Sequence, residues 1–388
     1  MLASSDFDEI RPYRDEEVPE IMDRLLIDPV FDRVLKNLFM DESKIHEVRQ
    51  AMERTKDVKS FQLTFMVPFL ENIIKSSISA LTVGGLELLE NDKSYLFISN
   101  HRDIVLDSAL LNVEIYKNGF KPTEIAIGSN LLVYPWIEDV SRVNRSFIVK
   151  RNIPVRQMLT SSHLLSAYIR QTVTTNGNSI WIAQREGRSK DGLDQTSQAL
   201  LKMLNMSNKG KFVKGFKELS IVPMAISYEI EPCGNEKVAE LLKRQADPDF
   251  RKTEKDDLLS MVSGLKNQKG RVHIQFGAPF DKVTLKSLSK EGNINDRLKR
   301  FADYIDYQIY QNYRLYPNNF IAYDLYNNCN TYIDKYTVDE QKSFIELTHQ
   351  RLKLVDEDRE EAMELWLKMY ATPVLSFENC CAKVPGEI

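Results

Sequence analysis

The chain has 388 residues, 43% hydrophobic and 28% charged, a composition that excludes a disordered chain and leaves room for one large domain or two ordinary ones. A net charge of −4 argues against a nucleic-acid partner, which asks for a strong basic excess. Cys233, Cys329, Cys380 and Cys381 show no metal-ligand spacing, so reduced thiols and no metal site are expected.

The start of the chain is acidic (Asp6, Asp8, Glu9, Asp15, Glu16, Glu17), opposite to the basic start of a secretory signal. Residues 1–60 read as an N-terminal helical region, with Ile21, Leu25 and Leu26, then Val34 and Leu35, at helical spacing. No apolar stretch reaches the roughly 18–20 uncharged residues of a membrane span. The nearest, Phe61 to Leu89, is broken by Glu71, Lys75 and Gly84-Gly85. Its Phe61, Phe65, Phe69 and Ile73 form either one buried helical stripe or a face lying on a membrane surface. Residues 61–285 alternate short apolar runs with helical patterns. The predicted strands are Tyr95–Ser99, Glu124–Gly128, Ser146–Val149, Ser179–Ala183, Ile221–Ser227 and Arg271–Phe276, with helices such as Met158–Thr172 and Gln195–Met206 between them. That alternation predicts an α/β core. From residue 286 to 388 the pattern is helical again, the longest pieces being Arg297–Tyr316 and Val338–Tyr370.

Three strand ends carry chemistry. Tyr95–Ser99 runs into Asn100-His101-Arg102-Asp103, with Asp107 further on. Imidazole titrates nearest neutrality, and a carboxylate on one ring nitrogen fixes its tautomer and stabilises the imidazolium. Either Asp103 or Asp107 is placed for that task; Asp107 fits the apolar pattern after it, and Asp103 is the nearer. Ser146–Val149 ends in Lys150 and Arg151. Ser179–Ala183 runs into Gln184-Arg185-Glu186-Gly187-Arg188-Ser189-Lys190, a turn crowded with cations. Successive strand ends of one α/β core that carry cations predict an anion pocket beside the histidine, because the arginine fork suits phosphate oxygens.

Four segments in this order resemble the glycerolipid acyltransferases, the glycerol-3-phosphate and lysophosphatidate acyltransferases. Asn100-His101-Arg102 through Asp107 is similar to the first block, whose His and Asp form the catalytic dyad. Phe147–Arg151 and Glu186–Gly192 are similar to the second and third, which bind the acceptor. Ile221–Glu229, with Pro223, is similar to the fourth, beside the acyl donor. Gly128–Leu131 and Lys269–Pro279 add weaker likenesses. The resemblance covers about residues 61–285. Two spacings depart from the pattern: five residues separate His101 from Asp107, one more than usual, and Glu186-Gly187 runs directly into Arg188.

The resemblance implies a mixed central sheet flanked by helices, with helical extensions at both ends, and transfer of a fatty acyl group from a thioester to a hydroxyl of glycerol-3-phosphate or a lysophospholipid such as 1-acylglycerol-3-phosphate. His101 and Asp107 are then catalytic, with Asn100 or a backbone N–H as oxyanion donor. Lys150, Arg151, Arg185, Glu186, Gly187, Arg188 and Ser189 bind the acceptor, and Pro223 lies on the acyl-donor side. No metal or bound cofactor is expected; acyl-CoA or acyl-ACP enters as substrate. The partners expected are membrane surface lipids and acyl carrier protein, and the place is the cytoplasm, peripheral on the inner face of the cell membrane. Two alternatives keep the same core: an acyltransferase for an amino-acid or sugar lipid, and a non-catalytic lipid- or acyl-carrier-binding protein.

Overall fold

The structure, a computed structural model, describes residues 4–39, 41–355 and 359–382. Seven strands form one sheet: β1 (Ile78–Gly84), β2 (Leu96–Ser99), β3 (Glu124–Gly128), β4 (Ser146–Val149), β5 (Ile180–Ala183), β6 (Ile221–Tyr228) and β7 (Gly270–Phe276), in the order β1-β7-β6-β2-β5-β3-β4. All neighbours are parallel except β6 and β7, so the sheet is mixed, as the resemblance implied.

The central strands read as unbroken apolar runs because helices cover both faces of the sheet. Their side chains divide with the period of two that a strand imposes. Leu96, Ile98, Ile180, Ile182, Ile221 and Ala225 point to one face, where they pack with helices Val155–Thr174, Gln198–Met206 and Ile294–Gln311. Phe97, Trp181, Val222, Met224 and Ile226 point to the other, toward helices Val67–Ser77 and Leu106–Lys117. Pro223 sits inside this sheet without breaking a ladder. Its carbonyl accepts from the Gly277 N–H on the β7 side, so its own nitrogen faces that side too, and the β7 ladder begins one residue later at Met224.

Strand β1 is an addition to the sequence reading, which placed only a helical stripe and no strand in this part of the chain. The stripe exists, with Phe61 and Ile73 buried and Phe65 and Phe69 half-buried, but it ends at Ser77 and the chain turns into β1 at the sheet edge. The opposite edge, β4, is met by the N-terminal segment, where the Ile10 carbonyl accepts from the Ile148 N–H. That contact satisfies an edge group otherwise open to pairing with another chain.

The predicted helix Arg297–Tyr316 ends earlier, at Gln311, and a second helix, Pro317–Tyr326, follows. Pro317 forces the residue before it out of the helical region, and Tyr316 is extended at φ −108° and ψ 163°. The predicted stretch Val338–Tyr370 crosses residues 356–358, which lie outside the described residues; helices Val338–Leu352 and Arg359–Cys381 flank them.

Candidate active site

β2 delivers His101 at its carboxyl end, and the ring donates from Nδ1 to Asp107 Oδ2 at 2.8 Å. The Arg102 and Asp103 N–H groups donate to the same oxygen at 2.7 and 3.0 Å, and the Tyr228 hydroxyl donates to Oδ1 at 2.8 Å. Four donors thus converge on one buried carboxylate. Burial first, and then the Asp107 charge, push the Tyr228 hydroxyl well above its ordinary range, so it keeps its proton and stays a donor. The ring is packed edge-on against Trp181 with centroids 5.6 Å apart, and Trp181 is fixed by its own indole bond to Ser99 Oγ at 2.9 Å. With Nδ1 committed, Nε2 is the free basic nitrogen, and the side chain is 14% exposed.

Asp103 does a different job. Its Oδ1 accepts from the Val105 and Leu106 N–H groups at 2.9 and 2.8 Å, capping the helix that carries Asp107. Its Oδ2 is buried without a hydrogen-bond partner against the Gly264 backbone, where a Cβ would collide with it. Burial, followed by the neighbouring Asp107 charge, pushes its carboxyl up. The geometry therefore selects Asp107 over Asp103 as partner of the ring. The five residues between them include a turn at residues 104–105, ahead of the helix start, which brings Asp107 back onto the ring.

Asn100 differs from its expected part. The residue is fully buried, its amide N–H groups donate to Asp194 Oδ2 and the Ile226 carbonyl at 3.1 and 3.0 Å, and its oxygen accepts from the Ile226 N–H. With both hydrogens committed it clamps β2 to β6 and has none left for an oxyanion.

The loop after β5 is brought directly against the histidine, since the Ser189 N–H donates to the His101 carbonyl at 3.0 Å. Ser189 itself is buried, with its hydroxyl on the Leu193 carbonyl at 3.1 Å, so it shapes the loop from beneath. Arg188 also points inward, against expectation. It is 7% exposed and donates to Cys233 Sγ at 2.6 Å, and burial holds the Cys233 thiol up at about 11. The cations left at the mouth are Arg185 and Arg151. Arg185 forms no ion pair among the described residues; Arg151 pairs with the exposed Glu186 at 2.8 Å, and its N–H is held by Ser129 Oγ at 2.9 Å. Lys150 is turned to the sheet edge, where it pairs with Glu9. Gly187 is exposed at φ +73° with open space around its Cβ position, so the left-handed backbone alone favours glycine there.

The sequence reading also missed the support of this loop. Arg102 is buried and donates to Asp194 Oδ2 at 2.7 Å, the Tyr313 hydroxyl donates to the same oxygen at 2.6 Å, and Tyr310 donates to the Asp194 carbonyl. Burial works against the Arg102 charge, and Asp194 and Glu231 more than restore it. Helix Arg359–Cys381 closes over Gly192, where a Cβ would collide with the Met369 carbonyl. Nothing in the local sequence of Asp194 signals partners over 100 residues away; the position of Tyr228 at the end of the fourth block was the one readable hint. Among the described residues no cluster of side chains has the makings of a metal site.

Residues 80–227 match the family model described as Acyltransferase. The chain is 25% identical over 248 residues to a glycerol-3-phosphate acyltransferase of Pseudomonas fluorescens (strain Pf0-1), covering 63% of this chain and 28% of that protein. It is 23% identical over 284 residues to one of Pseudoalteromonas translucida (strain TAC 125), covering 67% of this chain and 32% of that protein. The chain thus spans about a third of the length of these curated relatives. A 1-acyl-sn-glycerophosphate (LPA) acyltransferase from Thermotoga maritima aligns at 14% identity and a TM-score of 0.34, covering 74% of this chain and 92% of that one. Over residues 80–227, then, the chain carries the match to the Acyltransferase family model, and it is similar there to the glycerol-3-phosphate acyltransferases.

Proposed function

We propose that the protein transfers a fatty acyl group from a thioester to a hydroxyl of glycerol-3-phosphate or of a lysophospholipid such as 1-acylglycerol-3-phosphate, in phospholipid biosynthesis. The observation that carries this is the His101–Asp107 pair at 2.8 Å, opening at a strand end beside Arg185 and Arg151. Nε2 takes the proton of the acceptor hydroxyl as its oxygen attacks the thioester carbonyl. Asp107 holds the imidazolium that forms, and the C–S bond breaks as the thiolate leaves and recovers that proton. General-base help of this kind contributes roughly 10²–10⁴ in rate. A thiolate departs readily, so the route needs no covalent acyl-enzyme. Arg185 and Arg151 bind the acceptor phosphate, and Glu186 contacts its hydroxyls. The donor is acyl-CoA or acyl-ACP, and the enzyme works peripherally on the cytoplasmic face of the membrane. No described helix is long and apolar enough to cross a membrane.

Thioester consumption by the purified protein tests the reading. His101→Ala is expected to abolish it, and unchanged turnover overturns acyl transfer at this site. An acceptor panel follows: Arg185→Ala is expected to raise the acceptor KM and spare the donor's. Faster turnover of an unphosphorylated acceptor overturns the phosphate assignment.

A further inference from the structure

The mouth of the site is edged by side chains that a water-facing surface does not ask for. Helix Val155–Thr174 opens with Val155 83%, Met158 52% and Leu159 72% exposed. Their spacing of three and four residues puts them on one face of its first turns. Helix Glu254–Lys266 turns Leu259 and Val262 outward at 51% and 41%. Each apolar group is accompanied by cations: Arg156 in the first, and Lys255 and Lys266 in the second, which extend the exposed face of Leu259 and Val262 at helical spacing. None of these three cations forms an ion pair among the described residues.

These segments share the carboxyl end of the sheet with His101. Helix Glu254–Lys266 packs on residues 129–131 at the end of β3 and meets Asp103 through Gly264. Ser129 in turn holds Arg151, a few residues before Val155. Tyr134, just beyond that turn, is also exposed. We infer that this rim is the surface on which the protein docks to the anionic leaflet of a phospholipid bilayer, with the apolar side chains inserted among the acyl chains and the cations at headgroup level. The inference rests on the acyltransferase reading for its purpose and adds which face of the molecule meets the lipid. Apolar residues flanked by unpaired cations suit an anionic interface, where each cation near the surface contributes to binding. The orientation sets the cleft of His101 against the bilayer, so an amphiphile reaches Nε2 without crossing water.

Co-sedimentation with vesicles tests this, using phosphatidylcholine alone and phosphatidylcholine containing about a quarter phosphatidylglycerol. The full chain is expected to bind the anionic vesicles and to release them at high salt. Leu159→Asp with Leu259→Asp is expected to weaken binding about tenfold or more. Lys255→Glu with Lys266→Glu is expected to weaken anionic-vesicle binding about tenfold and to leave thermal unfolding unchanged. Lys121→Glu, at the other end of the sheet, is expected to leave binding as it was. Turnover of glycerol-3-phosphate in solution is expected to survive both double variants, so a failure of docking is distinguishable from a failure of acyl transfer. Wild-type binding by the apolar double variant overturns the inference. So does an active wild type that ignores anionic vesicles, or light scattering that shows these residues joining two copies of the chain.

Discussion

The two ends of the sheet carry unlike polar clusters. At the amino end of the parallel strands lies a cavity of about 420 Å³ walled by Phe7, Tyr13, Glu124, Arg145, Tyr168 and Asn178. There Glu124 accepts from the Tyr168 hydroxyl and from the Asn178 amide, so its two oxygens serve the fold, and Arg145 is held at φ 64° in the turn before β4. At the carboxyl end four donors converge on Asp107 and one ring nitrogen is left over. Volume does not designate a site; a ring nitrogen left free while its partner carboxylate is held by four donors does.

That contrast breaks most directly at the two carboxylates. Asp107→Asn is expected to lower thioester turnover about 10²–10⁴-fold with the fold retained, because the ring loses the charge that supports its protonated form. Glu124→Gln at the opposite end is expected to leave turnover unchanged; steady-state assays of both variants decide it. Next in size is the support under the loop. Arg102→Met leaves Asp194 buried without its cation and is expected to cost about 3 kcal/mol in urea unfolding. Tyr228→Phe removes one of the four donors on Asp107, a loss of about 1 kcal/mol or roughly fivefold in kcat. Steady-state assays of Tyr228→Phe measure that loss, and an unchanged kcat removes Tyr228 from the support of the dyad.

The smallest effect lies at Asp306, whose Oδ1 accepts from the Thr196 N–H at 2.7 Å. Burial pushes its carboxyl up to about 7, whereas in the unfolded chain it titrates near 4. The folded state therefore holds the extra proton between those values, and this group subtracts stability as pH rises from about 4 to about 7. Asp306→Asn keeps the acceptor and removes the slope, so its Tm at pH 8 is expected to exceed wild type by about 2 °C and to match it near pH 4.

Much of the core was legible because central strands must be apolar on both faces. The six predicted strands fall within a residue of those observed. β1 was not legible: at the edge only Ile78 is buried, and its pairing with β7 spans some 190 residues, so tertiary context decides it. In the site, the order of blocks located His101 and the loop after β5, which stand at strand ends, and Asp107 in the first turn of the helix that follows His101. Which way a side chain turns from that end was another matter. Asn100, Arg188 and Ser189 carry suitable groups at suitable places, yet they point into the protein, where β6, Cys233 and the loop backbone take their bonds. Sequence spacing fixes the position of a Cα; the partner that claims a side chain comes from a remote part of the chain.

The close approach of helix Arg359–Cys381 to Gly192 bears on how freely this core travels between proteins. A chimera that grafts the blocks onto another helical tail inherits the dyad intact. It forfeits Tyr310 and Tyr313, which hold Asp194, and the Met369 backbone that roofs the loop. Any replacement tail has to bring hydroxyls to the same two oxygens and leave Gly192 no more room than a hydrogen atom, so the catalytic cassette and its last hundred residues are exchangeable only as one unit.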